Sequence, residues 1–193
     1  MNIHDALTAL LPATPDEFLR WNENREGKRE FVNGRVVEMM INVSFAHYRL
    51  ASKLQRQLAD RIDDARFLVG GSDFAVRTHA GLRFPDVMVV NAGLDPAALA
   101  TSEPLLVAEI LSPSTMAADF GPKRDEYTAL ASLMHYLVLS QDEMRVWVWS
   151  RNEEGRFGEP DIHDAATVNL PGLGITLDLP SLYAGIAPQP SGG

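Results

Sequence analysis

Two carboxylates stand alone in apolar, strand-like runs: Asp86 in Leu82-Arg83-Phe84-Pro85-Asp86-Val87-Met88-Val89-Val90, and Glu109 in Pro104-Leu105-Leu106-Val107-Ala108-Glu109-Ile110-Leu111. An ionised carboxylate in such surroundings is costly unless something positive meets it. Period-two alternation groups Asp86 with Leu82, Phe84, Met88 and Val90, and Glu109 with Leu105, Val107 and Leu111. If the two strands are neighbours, the carboxylates converge, and converging carboxylates either share a proton or bind a cation. Oxygen donors completed by water favour Mg²⁺ or Mn²⁺. The other reading places each carboxylate at a wetted strand end or beside an arginine, and spacing alone leaves both open.

A third group is Lys123, which shares a helical side with Phe120, Tyr127 and Leu130. Pointed back at the end of the Glu109 strand, its ammonium would orient a water or stabilise charge on a phosphoryl group. Turned outward, it would be a lysine whose head reaches solvent over an apolar stem. His47 lies on an apolar stripe, as a core histidine or as a hydrogen-bond partner for a carboxylate. On the same segment Arg49, Lys53 and Arg56 recur at helical spacing, as a solvated face or a row that follows phosphates, and Asp60 continues it with the opposite sign.

These groups need a scaffold, and the pattern supplies one. Thr14-Pro15-Asp16-Glu17 is a capped helix start. Arg29–Val32 and Arg35–Met40 flank Asn33-Gly34, the dipeptide best suited to a tight hairpin turn. From Phe45 to about Asp64, Leu50, Leu54, Leu58 and Ile62 recur every four residues, which predicts a helix. Short strands are expected at 67–71 and 73–77, then the Asp86 strand and the Glu109 strand. Asp119 is expected to cap a helix running to about Leu130, with Pro122 in its first turn. Strands follow at 134–140 and 144–150, with Trp147 and Trp149 on one face, and shorter ones near 167–170 and 174–179. The order predicts an α/β or α+β fold, a mixed sheet with helices packed on it. Residues 1–187 are expected to form a single domain and 188–193 a disordered tail.

The chain has 193 residues, a formal net charge of −9 and no cysteine. Disulfides, thiolate metal sites and a cysteine nucleophile are thereby excluded. No apolar run is long enough to cross a membrane, and a cytoplasmic location is expected. The negative charge argues against a generally sticky nucleic-acid binder, so attraction to a polynucleotide would have to be local or carried by a metal. Zinc-protease, nucleophile-elbow and phosphate-loop motifs are missing.

Taken in order, Pro85-Asp86, Glu109-Ile110-Leu111-Ser112-Pro113-Ser114-Thr115, Asp119, Lys123 and Tyr127 resemble the Uma2 family of restriction-endonuclease-like proteins, a branch of the PD-(D/E)XK nuclease superfamily. Upstream, Glu30-Phe31-Val32-Asn33-Gly34-Arg35-Val36-Val37-Glu38-Met39 is similar to that family's opening hairpin, and His47 is matched in the next helix. The resemblance spans about Thr14 to Ser150, and more weakly extends to Tyr183. It implies a restriction-endonuclease-like sheet flanked by helices, and often a homodimer. It also implies a metal-dependent endonuclease in which Asp86 and Glu109 hold Mg²⁺ or Mn²⁺ and Glu30 lies in the same pocket. One departure stands out: the superfamily lysine two residues after Glu109 is Leu111 here, and Lys123 matches the lysine that the Uma2 branch carries on the following helix. Alternation does not choose between Glu30 and Glu38; only the resemblance selects Glu30.

The function expected is therefore hydrolysis of nucleic-acid phosphodiesters, DNA in the first instance, by a metal-activated water. Asp86 and Glu109 would position the ion, with Glu30 and Lys123 as further catalytic residues and Ser112–Thr115 at the rim. One rival is a catalytically silent, nuclease-like dimeric module that binds DNA or a protein. A second keeps the carboxylates but takes a small phosphorylated metabolite.

Overall fold

Asn33 and Gly34 both take positive φ, 51° and 76°, the two left-handed residues that a tight hairpin turn requires. They close one strand, Lys28–Val32, on the next, Arg35–Met39, with Val32 opposite Arg35 and Glu30 opposite Val37. The computed structural model describes residues 11–39, 43–112 and 115–186. Met40 of the expected second strand, Pro113 and Ser114 of the expected rim, and the expected tail 188–193 lie outside the described residues.

In chain order the elements are α1 (Pro15–Asn22), β1 (Lys28–Val32), β2 (Arg35–Met39), α2 (Phe45–Ala59), β3 (Phe67–Gly71), β4 (Ala75–Thr78), β5 (Gly81–Arg83), β6 (Val87–Asn91), β7 (Ala100–Thr101) and β8 (Leu106–Ile110). There follow α3 (Met116–Asp119), α4 (Pro122–Thr128), β9 (His135–Leu139), β10 (Val146–Ser150), β11 (Asp161–His163), β12 (Thr167–Leu170), β13 (Ile175–Asp178) and α5 (Leu179–Tyr183). The fold is α+β, with two mixed sheets flanked by helices. One sheet runs β2-β1-β5-β4-β7, the other β11-β10-β9-β8-β6-β3, and β12 and β13 form a separate hairpin.

The run Leu82–Val90, expected as one strand, is two. Pro85 has no N–H to donate and restricts Phe84 before it. The chain leaves the first sheet at Arg83 and enters the second at Val87, so Asp86 sits at the crossover. Gly81 permits the approach of β5 to β1: its φ is +145°, and a Cβ there would lie 1.9 Å from the Phe31 carbonyl oxygen.

β8 is buried along its whole length, between β6 and β9, which accounts for its apolar character on both faces. Leu106, Ala108 and Ile110 pack with Leu50, Leu54 and Leu58 of α2, whereas Val107 and Leu111 pack with Tyr127 of α4, Tyr136 and Trp149. Glu109 shares the parity of Val107 and Leu111, and so belongs to the α4 side. The register Val87↔Ala108, Met88↔Val107, Val89↔Leu106, continued by one residue, sets Asp86 across from Glu109.

Two helices differ from expectation. α2 stops at Ala59, with Asp60 as its cap, short of Asp64. The helix expected to follow an Asp119 N-cap and run to Leu130 is α4, which begins later, with Gly121 at its N-cap, and ends at Thr128, while α3, not expected, precedes it and ends at Asp119. Pro122 starts α4 rather than continuing α3, and a Cβ on Gly121 would lie 2.8 Å from the Ala117 carbonyl. Asp119 therefore closes α3 instead of capping a helix. Trp147 and Trp149 do share a face, and both meet the Phe120 ring, at 5.0 and 5.9 Å between centroids.

Candidate active site

A cleft of about 610 Å³ opens between the β1–β2 hairpin, the start of α2 and the ends of β6 and β8, and Glu30, Asp86, Glu109 and Lys123 all line it. His47, Arg83, Ser112 and Thr115 line it as well. Three chain segments far apart in sequence thus bring their carboxylates to one place.

Asp86 is held at the crossover by two contacts on one oxygen. Its Oδ2 accepts the Ile110 N–H at 2.8 Å and lies 3.2 Å from His47 Nε2. His47 is fixed in turn by its position in the first turn of α2, where its own N–H donates to the hydroxyl of the N-cap residue Ser44. Of the two readings open for His47, the geometry gives the contact with a carboxylate.

Glu109 meets α4. Its Oε1 lies 3.1 Å from Lys123 Nζ and accepts the Tyr127 hydroxyl at 3.1 Å. Lys123 and Tyr127 are four residues apart, so one face of α4 delivers both groups. Lys123 is 3 % exposed, an inward lysine rather than one reaching for solvent. Its ammonium also lies 3.0 Å from Asp119 Oδ1. Asp119 is wholly buried, and the Tyr136 hydroxyl donates to its backbone carbonyl at 2.9 Å.

Glu30 is buried while Glu38 is exposed and pairs with Arg29 across the hairpin. The difference lies in the sheet: β1 has β5 on its other side, whereas β2 is an edge. Arg83 Nη1 reaches Glu30 Oε2 at 2.7 Å, and the Phe84 N–H donates to Glu30 Oε1. The remaining guanidinium donors grip both oxygens of Glu126, which also accepts the Thr78 hydroxyl at 2.9 Å. This two-pronged grip is the geometry in which arginine binds carboxylate most strongly, and it ties α4 to β5 and, through Glu30, to β1.

Sequence reasoning missed the Arg83–Glu126 pair and gave Asp119 a capping role. A buried, charged residue inside a run such as Leu82-Arg83-Phe84 was a signal for Arg83. Glu126, one residue before Tyr127, offered none without knowledge of its partner.

The charges do not balance. Among the described residues, the permanent cations paired with Glu30, Glu109, Asp119 and Glu126 are Arg83 and Lys123, and Asp86 is paired with neither. Burial pushes the Glu109 carboxyl up to about 8; Lys123 opposes the shift, and the nearby Asp86, Asp119 and Glu30 add to it. Burial likewise raises Asp119 against the pull of Lys123. Burial alone would lower Lys123, but Glu109 and Asp119 outweigh it and keep the ammonium charged.

That surplus of negative charge is what a divalent cation would relieve, and the donors fit one. Among the described residues no hydrogen bond goes to Asp86 Oδ1 or to Glu109 Oε2, leaving each carboxylate an oxygen to give. Nor, among the described residues, do three His, Asp or Glu side chains form an ion-holding cluster. Two carboxylates and water are the set that Mg²⁺ accepts, since it dehydrates reluctantly.

The basic row of α2 is only partly spent. Arg49 donates to the Gly185 carbonyl, and Lys53 to those of Ser181 and Ala184. His135 is buried with its Nδ1 on the Ser150 hydroxyl at 3.0 Å. Among the described residues no helix is long and apolar enough to cross a membrane.

Comparison with known proteins bears on ancestry. A family model, Uma2, described as "Putative restriction endonuclease", matches residues 15–180. Among similar proteins from Synechocystis sp. (strain ATCC 27184 / PCC 6803 / Kazusa), the uncharacterised slr1290 is 26 % identical over 180 residues, covering 90 % of this chain and 93 % of the relative. The uncharacterised sll1609 is 31 % identical over 146 residues, covering 73 % and 81 %. A crystal structure described as "a putative nuclease belonging to DUF820" from Anabaena variabilis ATCC 29413 matches with a TM-score of 0.71 over 90 % of this chain and 98 % of its own, at 16 % identity. At that identity the likeness establishes a shared fold.

Proposed function

The chain belongs to the Uma2 family, and from that premise we propose that it is an endonuclease that hydrolyses DNA phosphodiesters with the help of Mg²⁺ or Mn²⁺. In this reading it works as a homodimer in the cytoplasm. The observation that carries the proposal is the meeting of Glu30, Asp86, Glu109 and Lys123 in one cleft, with the buried ammonium 3.1 Å from Glu109.

Asp86 and Glu109 would hold the ion through their free oxygens. When bound, the ion supplies a more acidic water and neutralises phosphate charge. The chain's own groups do the positioning. Ile110 N–H and His47 fix one oxygen of Asp86 and leave the other for the cleft. Tyr127 and Lys123 do the same for Glu109. Lys123 has three N–H donors and two carboxylate neighbours, so one donor remains for a water or a phosphoryl oxygen. Glu30, locked by Arg83 and the Phe84 N–H, would orient water beside the ion.

The test is nicking of supercoiled plasmid. With Mg²⁺ or Mn²⁺ the protein converts it to open-circular and linear forms, and chelation, Asp86→Asn or Glu109→Gln stops the reaction. Cleavage that survives both substitutions would remove the proposed site; no cleavage with either ion would remove the proposed reaction.

A further inference from the structure

On α2 the residues Phe45, Tyr48, Arg49, Ser52, Lys53 and Arg56 follow one another at steps of three and one, which draws a single stripe along the helix. The core stripe of the same helix, His47, Leu50, Leu54 and Leu58, faces the other way. The six residues line a shallow groove of about 240 Å³. Phe45 and Tyr48 are 73 % and 63 % exposed, and their rings lie 6.5 Å apart.

Two features combine on this one helix face. Large aromatic rings are seldom left this open together without a partner. The three cations of the stripe also stand on one helix face without carboxylates: among the described residues none of Arg49, Lys53 and Arg56 has an acidic group within 4.0 Å, a state they share with Arg20, Arg25, Lys28, Arg35, Arg61, Arg66 and Arg151. The partners of Arg49 and Lys53 are neutral carbonyls, which leave the charge available. On a chain of net charge −9 this is a local positive field, and it begins at the cleft. Ser44, the N-cap of α2, lines the cleft wall, and Phe45 is the next residue.

We propose that this stripe binds an unpaired nucleic-acid strand as it leaves the cleft, with Phe45 and Tyr48 stacking on bases and Arg49, Lys53 and Arg56 meeting phosphates. Open rings beside a row of cations are the surface on which single strands are held without sequence readout. A paired duplex hides its base faces and would engage the cations alone. The inference rests on the nuclease reading of the neighbouring cleft and names its substrate as single-stranded or locally opened nucleic acid. It also resolves the conflict between an acidic protein and an anionic substrate, because attraction is confined to one helix face.

The experiment measures binding without turnover. Fluorescein-labelled oligothymidylate of about 15 nucleotides, and a duplex of the same length, are titrated with the full chain in EDTA. The single strand binds more tightly than the duplex. Tyr48→Ala or Phe45→Ala weakens it by about 5- to 150-fold, the range for one stacked base, while Tyr48→Phe keeps it. Arg56→Gln flattens the slope of log affinity against log salt by about 0.7, one phosphate on a single strand. Equal affinity for both oligonucleotides, or no response to the ring-deleting variants, overturns the inference, as does sedimentation showing that Tyr48→Ala instead splits a dimer. Plasmid cleavage by a protein whose strand binding ignores these variants would sink this inference alone. Variant-sensitive binding without any cleavage would sink the proposed hydrolysis alone.

Discussion

Replacing Lys123 by Met keeps a straight, similarly sized side chain but deletes a cation shared by Glu109 and Asp119, at 3.1 and 3.0 Å. All three groups are almost fully buried, so solvent screens little of the loss. Removing one partner of a buried pair costs about 3–5 kcal/mol, because the other charge is left without compensation. The variant has an escape, since the orphaned carboxyls can take up protons. Glu109 is already raised to about 8 by burial and by Asp86, Asp119 and Glu30, and without the ammonium it rises further. A carboxyl whose folded pKa lies above its unfolded value of 4.5 contributes stability that is complete below 4.5 and lost as pH rises through the folded pKa. The deficit of Lys123→Met must therefore be largest in alkali. Urea unfolding followed by tryptophan fluorescence, without divalent ions, should show a loss of about 3–5 kcal/mol at pH 9. At pH 5, with Glu109 protonated, that loss should shrink by about 2 kcal/mol or more. Equal deficits at the two pH values, or none at pH 9, would refute the ion-pair geometry on which the cleft depends.

Gly81→Ala forces a Cβ to 1.9 Å from the Phe31 carbonyl at a φ of +145°; it should destabilise by more than about 3 kcal/mol, whereas Gly93→Ala, in open space, should be neutral in the same melt. Burial lowers His135 from 6.5 to about 4, so its contribution is full above pH 6.5 and lost as pH falls toward 4, about 3 kcal/mol in all; His135→Gln should flatten that acid limb, and an unchanged limb would place the titrating group elsewhere. Arg83→Met strands Glu126 and Glu30 and should lower the melting temperature, with Glu126→Gln restoring part of it; strict additivity in this double-mutant cycle would deny the pair its coupling.

The fold was legible where local chemistry decides it. Asn33-Gly34 announced its hairpin, Thr14 and Glu17 their capping box, and Leu50, Leu54 and Leu58 their helix face. It was less legible where one residue overrules a pattern. The alternation from Leu82 to Val90 is continuous, yet Pro85 divides it between two sheets. Asp119 has the makings of an N-cap, but Gly121-Pro122 starts the helix later and the freed carboxylate turns to Lys123.

The candidate site was legible as unusual residues rather than as a place. Lone carboxylates in apolar runs and a lysine on the apolar side of a helix stand out in one dimension, because burial would make them expensive; that Lys123 turns inward was not legible there. Their meeting depends on the antiparallel register of β6 on β8 and on the turn that brings α4 back over β8, neither of which spacing encodes. Glu30 and Glu38 were indistinguishable for the same reason: only the presence of β5 beside β1 buries the first and leaves the second on an edge.

The central claim, that these carboxylates cooperate on a divalent cation, is tested most directly by crystals of the protein grown with Mn²⁺ and measured at the manganese absorption edge. The account predicts an anomalous peak contacted by Asp86 and Glu109, lost in Asp86→Asn, with Lys123 still against Glu109. Manganese bound elsewhere, or nowhere, while both carboxylates stay as they are, would contradict it.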